Sequence, residues 1–424
     1  MTDLFDDLSY RGLIHQETDR QGLRDHAAVP RRVYCGFDPT ASSLTIGNLV
    51  PILMLRRFQD AGHTPIVVVG GGTGLIGDPS GKEAERALRS REEIDANVAG
   101  QKPIYQRLLR FDGPNAATVV NNADWLSKVS FLEMLRDVGK HFSVNMMIQK
   151  DSVRRRLEER EQGISFTEFS YLLLQAYDFR HLFDEQGVTI QVAGSDQWGN
   201  IVAGIDLTRK TRQTELYGLT APLVTKADGS KFGKSEAGAV WLTADRTSPY
   251  AFYQFWLGML DADVGRYLKI FTVLPRDQIE SLIAEHEKDP GARSAHRALA
   301  AHVTELVHGT DAREQAEAAS KALFSGDVCG LSEQTLAEVF ESAPATVHEL
   351  ALLEGEGLSL VDFLVTVNVA KSKREGREFL TTGAVSVNGE KMGPESRLVA
   401  AQLLHGKLAL VRRGKKTWHV ARFS

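Results

Sequence analysis

The sequence predicts an α/β protein built on a parallel sheet, followed by smaller domains. Three observations carry this. Short β-branched runs alternate with helical patterns in the first half, polar glycine-rich clusters follow the strand ends, and residues 358–424 differ in charge from the rest. At 424 residues the chain exceeds one typical core, so two to three domains are expected. A composition of 42% hydrophobic and 25% charged residues is that of a globular protein. No run reaches the roughly 18 apolar residues of a membrane helix. The acidic start, Met1-Thr-Asp-Leu-Phe-Asp-Asp, has no basic-then-apolar leader. Cys35 and Cys329 have neither metal-type nor disulfide-type spacing, so a reducing, cytoplasmic setting is expected.

The first strand is Val33–Phe37, and the helical pattern Leu49, Ile52, Leu53, Leu55, Phe58 follows it. The run 65–70, Pro-Ile-Val-Val-Val-Gly, reads as a buried parallel strand, and Val188–Val192 as a third. Between them, 82–180 reads as a mostly helical insertion with Phe131, Leu132 and Leu135 at helical spacing, expected to make an oligomer contact. Residues 1–247 would then be one catalytic-type domain, 248–324 an all-α domain, 325–357 an acidic connection and 358–424 a compact α+β module. Ligands of parallel sheets sit beyond the strand carboxyl ends.

The polar clusters fall at those ends. Residues 34–48, YCGFDPTASSLTIGN, supply Gly36, Asp38, Thr40 and Gly47 at a strand-to-helix turn, where backbone N–H groups favour phosphate. Taken in isolation, ordinary helix capping by Thr or Ser is the favoured explanation of that turn, by about two to one. The run 70–78 ends in Gly77-Asp78, whose carboxylate suits an ammonium group. Tyr171, Gln175 and Asp178 share one helix face inside an apolar segment, as a pocket lining would. Gly194, Asp196 and Gln197 follow the third strand and exceed what a cap requires. Lys231-Phe-Gly-Lys234-Ser follows Asp228-Gly229-Ser230 in a loop composition. Lys82 and Arg86 form a second basic pair, and such pairs alone are more often surface decoration. His141, His181, His286, His296, His302 and His308 are scattered through helical patterns and read as core or solvent histidines, with no metal site among them.

These strings, with VGKHFSVN, QGISFTEFSYLLLQAYDF, GSDQWGNI and TSPYAFYQFW, resemble the bacterial tyrosyl-tRNA synthetase family of class I aminoacyl-tRNA synthetases over essentially the whole chain. The resemblance implies a Rossmann-like catalytic domain, a homodimer and a two-step reaction. Tyrosine and ATP, with Mg2+ accompanying the nucleotide, give tyrosyl-adenylate and pyrophosphate; tyrosine then passes to the terminal ribose of tRNA(Tyr). Carried over by motif, Tyr34 and Asp178 would take the phenol hydroxyl, and Asp78, Tyr171 and Gln175 the ammonium group. Gln197 would lie near the carboxyl and α-phosphate. Cys35, Gly36, Asp38, Thr40, Gly47, Asn48, Gly194 and Asp196 would serve ATP and its ribose. Lys82, Arg86, Lys231 and Lys234 would hold pyrophosphate in the transition state. A site built to bond a hydroxyl rejects the analogue lacking it by about 10⁴–10⁵, a value known from this family rather than inferred from these residues.

One signature departs from the family pattern: Thr45 and Asn48 stand where histidines are usual. Losing one charge-assisted contact costs about 1.5–3 kcal/mol, so weakened or redistributed pyrophosphate-side stabilisation is expected. A Thr45→His variant with an unchanged adenylation rate would contradict this.

Residues 358–424 hold twelve Lys/Arg against five Asp/Glu, about +7, in a chain of net charge -5. They resemble an alpha-L RNA-binding fold, which implies phosphate contacts from Lys371, Lys373, Arg374 and Arg377, and from Arg412, Arg413, Lys415 and Lys416. Two other readings stay open here. Thr45 motivates a synthetase-derived RNA-binding or splicing factor with reduced catalysis, and activation of tryptophan is the third reading.

Overall fold

The computed structural model describes residues 3–80, 89–150, 153–154, 157, 163–229, 232–235, 238–341, 343–414 and 417–424, the side chains of Lys234, Ser235 and Phe324 excepted. Contacts divide the chain into two compact units, 1–246 with 259–299, and 247–258 with 300–424.

The first unit holds a six-stranded sheet of β1 (Gln16–Glu17), β2 (Arg32–Phe37), β3 (Thr64–Val69), β4 (Thr118–Asn121), β5 (Val188–Gly194) and β6 (Tyr217–Ala221). Their order is β1-β6-β5-β2-β3-β4. All neighbours are parallel except β1 with β6. Burial of Val33–Cys35 in β2 and of most of β3 and β5 explains why they read as apolar runs. The chain builds outward from β2 through β3 to β4, then returns to add β5 on the other side of β2. The order therefore reverses between β2 and β5, the place where open α/β sheets bind ligands.

Helix α1 (Ile46–Asp60) starts at Thr45 and buries Leu49, Ile52, Leu53 and Phe58. Pro51 lies inside this helix rather than at its first position. It removes one intrahelical donor, the one owed to the Gly47 carbonyl. Helix α2 (Arg91–Leu108) has a Ser90/Glu93 capping box. Helix α3 (Phe166–Gln186) is capped by Ser165, whose side chain accepts from Glu168 N–H, and ends at Gly187 with φ 64°. Helix α4 (Trp198–Arg212) packs on it.

The segment expected as a helical insertion also contains β4, paired with β3 from Ile66↔Thr118 to Val69↔Asn121. Four residues at an edge, with only two β-branched aliphatics, leave too short a pattern to read from sequence.

The segment 248–324 is shared between the units. Helices α5 (Asp261–Phe271) and α6 (Arg276–Lys288) belong to the first. Arg11 there donates to the carbonyls of Lys269, Thr272 and Leu274, and Arg57 to that of Thr272. Buried guanidinium groups thus satisfy the carbonyls at the end of α5. Helix α7 (Ser294–His308) begins in the first unit and continues in the second.

The second unit contains a five-stranded sheet ordered Glu390–Lys391, Val385–Val387, Leu408–Arg413, Thr417–Phe423 and Ala345–His348. One group of core residues joins Phe363 and Leu364 to Val411, Ala421 and Phe423. Another joins Ala319, Leu336 and Phe340 to Leu410 and Val420. The stretch read as a connection, 325–357, supplies a helix, Glu333–Val339, and the strand Ala345–His348, which pairs parallel with Val420–Phe423. Among the described residues no helix is long and apolar enough to cross a membrane.

Candidate active site

A cavity of about 470 Å³ opens at the carboxyl ends of β2, β3 and β5. It is lined by Tyr34, Cys35, Gly36, Asp38, Thr40, Thr45, Gly47, Asn48, Asp78, Tyr171, Gln175, Asp178, Gly194, Asp196 and Gln197. These residues span 34 to 197 in sequence and come from β2, α1, the turn after β3, α3 and the end of β5. Lys82, Arg86 and Lys231 lie outside the described residues, as does the side chain of Lys234. Residues 232–235 and 238–241, around Lys234, are described in their backbone. The Gly233 carbonyl accepts from Val240 N–H, whose own carbonyl accepts from Ile46 N–H, and Thr45 bridges to Trp241. A Cβ on Gly233 would stand 3.6 Å from Ile46. Gly233 and Val240–Trp241 are therefore fastened beside the start of α1.

At one end of the cavity sits Asp178, buried at 4% exposure. Its Oδ1 accepts from Trp125 Nε1 at 2.7 Å and its Oδ2 from Asn122 Nδ2 at 2.9 Å. Burial pushes its carboxyl up to about 7 against the pull of these two donors, and Asp38 raises it further. Each oxygen retains acceptor capacity. Tyr34 is also buried, stacks edge-on with Phe179 at 5.1 Å, and its hydroxyl has no partner among the described residues. Burial, then the Asp178 charge, raises its phenol well above the usual range. The Gln191 Oε1 is a second buried polar atom here without a partner.

From Asp178 a chain of hydrogen bonds crosses the cavity floor. Asn122 Nδ2 donates also to Thr73 Oγ1 at 2.9 Å, Thr73 donates to Asp38 Oδ1 at 2.7 Å, and Tyr171 donates to Asp38 Oδ2 at 2.9 Å. A Cβ on Gly70 would come within 2.1 Å of Asp38 Oδ1, so glycine is required there. A second network runs along the opposite wall. Gln197 Nε2 donates to Asp78 at 2.7 Å and to Asp196 at 2.9 Å, while Asn200 Nδ2 donates to Gln175 and Gln197. Burial raises the Asp196 carboxyl. Burial, then Asp196, also holds the Cys35 thiol far above its ordinary value, so Cys35 is a packed neutral group and not a nucleophile.

The other end is different in kind. Gly36 is exposed between buried neighbours, and a Cβ there would meet nothing within 4 Å. Gly47 is equally open, its nearest neighbour being Thr45 Oγ1 at 3.7 Å. Thr45 lines this end, but its hydroxyl and its backbone N–H both donate to Asn48 Oδ1, each at 3.0 Å. That bonding fixes the Asn48 amide, whose Nδ2 hydrogens no described residue takes.

The sequence reading missed Thr73, Asn122, Trp125 and Gln191. Asn121-Asn122 follows only the brief run Val119-Val120, too short a strand pattern to single Asn122 out.

In the second unit, Lys371, Arg374 and Arg377 are exposed at the start of the helix Lys373–Thr381. Lys373 pairs with Asp362 at 2.7 Å. Arg412 lies over the Trp418 ring, and Arg413 over Phe379 while donating to the Val369 carbonyl. Those two are partly committed to the fold. Lys415 and Lys416 lie outside the described residues.

Comparison with known proteins agrees with this arrangement. Residues 27–325 match the family model of class I tRNA synthetases for tryptophan and tyrosine, and 336–421 the C-terminal domain of tyrosine–tRNA ligases. The second match starts near the helix Glu333–Val339, ahead of the boundary expected from charge. The tyrosine–tRNA ligase of Geobacillus kaustophilus is 50% identical over 100% of both chains, and that of Aeromonas hydrophila 52% over 98% of each. A C-terminally truncated mitochondrial tyrosyl-tRNA synthetase of Aspergillus nidulans superposes with TM-score 0.69 at 32% identity, covering 76% of this chain and 95% of that one. The chain belongs to the tyrosine–tRNA ligases, within the class I aminoacyl-tRNA synthetases.

Proposed function

We propose that this cavity carries the ligase reaction with tyrosine lying along its floor and ATP over the open glycines. The observation that supports this orientation is the pair formed by an unpartnered buried Tyr34 hydroxyl and a buried Asp178 carboxylate. A substrate phenol donates to the carboxylate and accepts from Tyr34, satisfying both. The ammonium group then meets Asp78, Tyr171 and Gln175. The nucleotide approaches the bare backbone of Gly36 and Gly47, with Cys35, Asp38, Thr40, Asn48, Gly194 and Asp196 around base, ribose and α-phosphate.

The tyrosine carboxylate is itself the nucleophile. Its oxygen forms a bond to the α-phosphorus while the bond to the β-phosphate oxygen breaks and pyrophosphate leaves. The ribose hydroxyl of tRNA then attacks the tyrosyl carbonyl, loses its proton and displaces AMP. The chain provides positioning and charge compensation and forms no covalent intermediate. Mg2+ enters with ATP as part of the substrate. Lys82, Arg86, Lys231 and Lys234 are assigned to the pyrophosphate. Interactions that strengthen only as it departs raise kcat rather than affinity.

Lys371, Arg374 and Arg377 are assigned to tRNA phosphates, with Lys373, Arg412 and Arg413 beside them. Phe131 (64% exposed), Leu132 (77%) and Phe166 (65%) form an apolar face expected to be covered by a second copy of the chain. Leu132→Asp should lower the dimer fraction in sedimentation and reduce charging. An unchanged dimer would remove that assignment. The reaction itself is tested by tyrosine-dependent exchange between ATP and pyrophosphate. Exchange with tyrosine but neither phenylalanine nor tryptophan is expected, and no exchange above background would favour an RNA scaffold.

A further inference from the structure

Helices α5, α6 and α7 bring together three side chains that the reaction does not use. Asp261 is the first residue of α5, His286 lies near the end of α6, and His296 lies in the first turn of α7. None of them lines the catalytic cavity. His296 Nε2 stands 3.3 Å from Asp261 Oδ1, and His286 Nε2 stands 3.8 Å from the same oxygen. One ligand atom from each of the three lies within 4.8 Å of the other two. Both imidazoles are buried, and the Nδ1 of each has no hydrogen-bond partner among the described residues. The rings meet edge to face at 5.1 Å, so packing holds them in this mutual orientation.

We propose that Asp261, His286 and His296 bind a divalent transition-metal cation with the ligand preferences of zinc. Two imidazoles and one carboxylate are a three-ligand set that zinc accepts, with water as the fourth ligand. Zinc bonds of about 2.0–2.1 Å place tetrahedral ligand atoms about 3.4 Å apart. The two oxygen–nitrogen distances are close to that already. Asp261, 62% exposed, is free to rotate and close the remainder.

Two features set the strength of the site. His296 Nε2 also lies 3.1 Å from the Met259 carbonyl, so a cation displaces a proton and that hydrogen bond. The Arg293 charge acts on His296 and opposes a second positive charge. Without outer partners for Nδ1 the rings are less basic ligands. Affinity should therefore be weaker than at a closed structural zinc site, and should fall as pH drops.

The test uses the full-length, untagged protein, stripped with EDTA and desalted. Titration with Co2+ should give one equivalent of the intense visible bands of tetrahedral coordination, removed by Zn2+. Asp261→Ala, which alters an exposed side chain, should weaken Co2+ binding at least about tenfold, the loss that even an outer-shell change produces. Zn2+ should raise the Tm of the unaltered protein and leave that of Asp261→Ala unchanged. His286→Leu should behave like Asp261→Ala. Absence of the visible bands, or equal binding by the unaltered protein and Asp261→Ala, overturns the proposal.

Discussion

At the Asp178 end of the cavity, Asp178, Asn122, Thr73, Asp38 and Tyr171 are joined in one continuous run of hydrogen bonds. At the Gly36–Gly47 end the surface is bare backbone with open space in front of it. The first end is built before the ligand arrives, and its shape is fixed by side chains already committed to one another. On the proposed assignment, the second end receives its charge from the ligand and from the lysines given to pyrophosphate. Specificity suits a prearranged site, where an analogue leaves buried groups unpaired. Acceleration suits groups whose contacts form only as the phosphate bond breaks. Changes at the two ends should therefore separate into tyrosine parameters and ATP parameters.

The largest break should come from Asp178→Asn. The replacement retains the shape but turns one acceptor into a donor facing Trp125 or Asn122, and it removes the charge proposed to receive the phenol. The kcat/KM for tyrosine in pyrophosphate exchange should fall at least about 100-fold, as expected for more than one charged hydrogen bond. The KM for ATP should hardly change, and discrimination against phenylalanine should shrink. Equal losses in the two KM values would erase the contrast between the ends.

Gly36→Ala sharpens the other side. Nothing lies within 4 Å of the added Cβ, so the fold should tolerate it and Tm should stay level. The methyl group would nevertheless stand where the nucleotide is proposed to approach. A loss of about 10- to 100-fold in kcat/KM for ATP is expected, since a displacement of about 1 Å is enough for that. The KM for tyrosine should be preserved.

A tenfold effect is expected from pH. The Asp178 carboxyl is raised to about 7 by burial. Below that value it is protonated and no longer attracts the phenol proton. The kcat/KM for tyrosine should fall about tenfold per pH unit on the acid side, with an inflection near 7 that Asp178→Asn removes. The sign for stability is opposite. A carboxyl raised in the folded state stabilises the fold while protonated, and that contribution is lost as pH rises from the ordinary carboxylate range through about 7. Acidification should thus impair tyrosine use through this group while its share of stability grows.

The difference between the two ends also explains what the sequence disclosed. Gly36, Asp38, Gly47 and Asp78 stand out because glycines and acids at strand ends break an apolar pattern. The carboxyl-end placement follows from parallel alternation alone. Asn122 and Thr73 did not stand out, because their value lies in a partner far away in sequence: Asn122 reaches Asp178 across 56 positions and Thr73 reaches Asp38 across 35. Strand β4 is too short to announce the turn that carries Asn122. The domain boundaries escaped for the same reason. Arg11 and Arg57 tie the end of α5 to the first unit through carbonyls, which no composition window registers. The strand Ala345–His348 lies in an acidic stretch that reads as a connection until Val420–Phe423 is placed beside it.

The smallest effect tests the point where the two ends meet the signature's departure. Thr45 replaces a histidine of the family pattern, and sequence alone suggested a lost phosphate contact. In the structure its hydroxyl donates to Asn48 Oδ1, and Asn48 itself lines the cavity. On the proposed placement of ATP, Thr45 would act as a positioning residue through Asn48. Thr45→Ser retains the hydroxyl and should stay within about twofold of the unaltered enzyme. Thr45→Val retains the volume but removes the hydroxyl. One hydrogen bond of about 0.5–1.5 kcal/mol then gives about 2- to 12-fold in kcat/KM for ATP. The two variants should also differ in a double-mutant cycle with Asn48→Ala. If Thr45 works through Asn48, Thr45→Val should add almost nothing once Asn48 is gone. If the hydroxyl contacts phosphate directly, the two losses should add in full, and Thr45 would belong with the lysine loop instead.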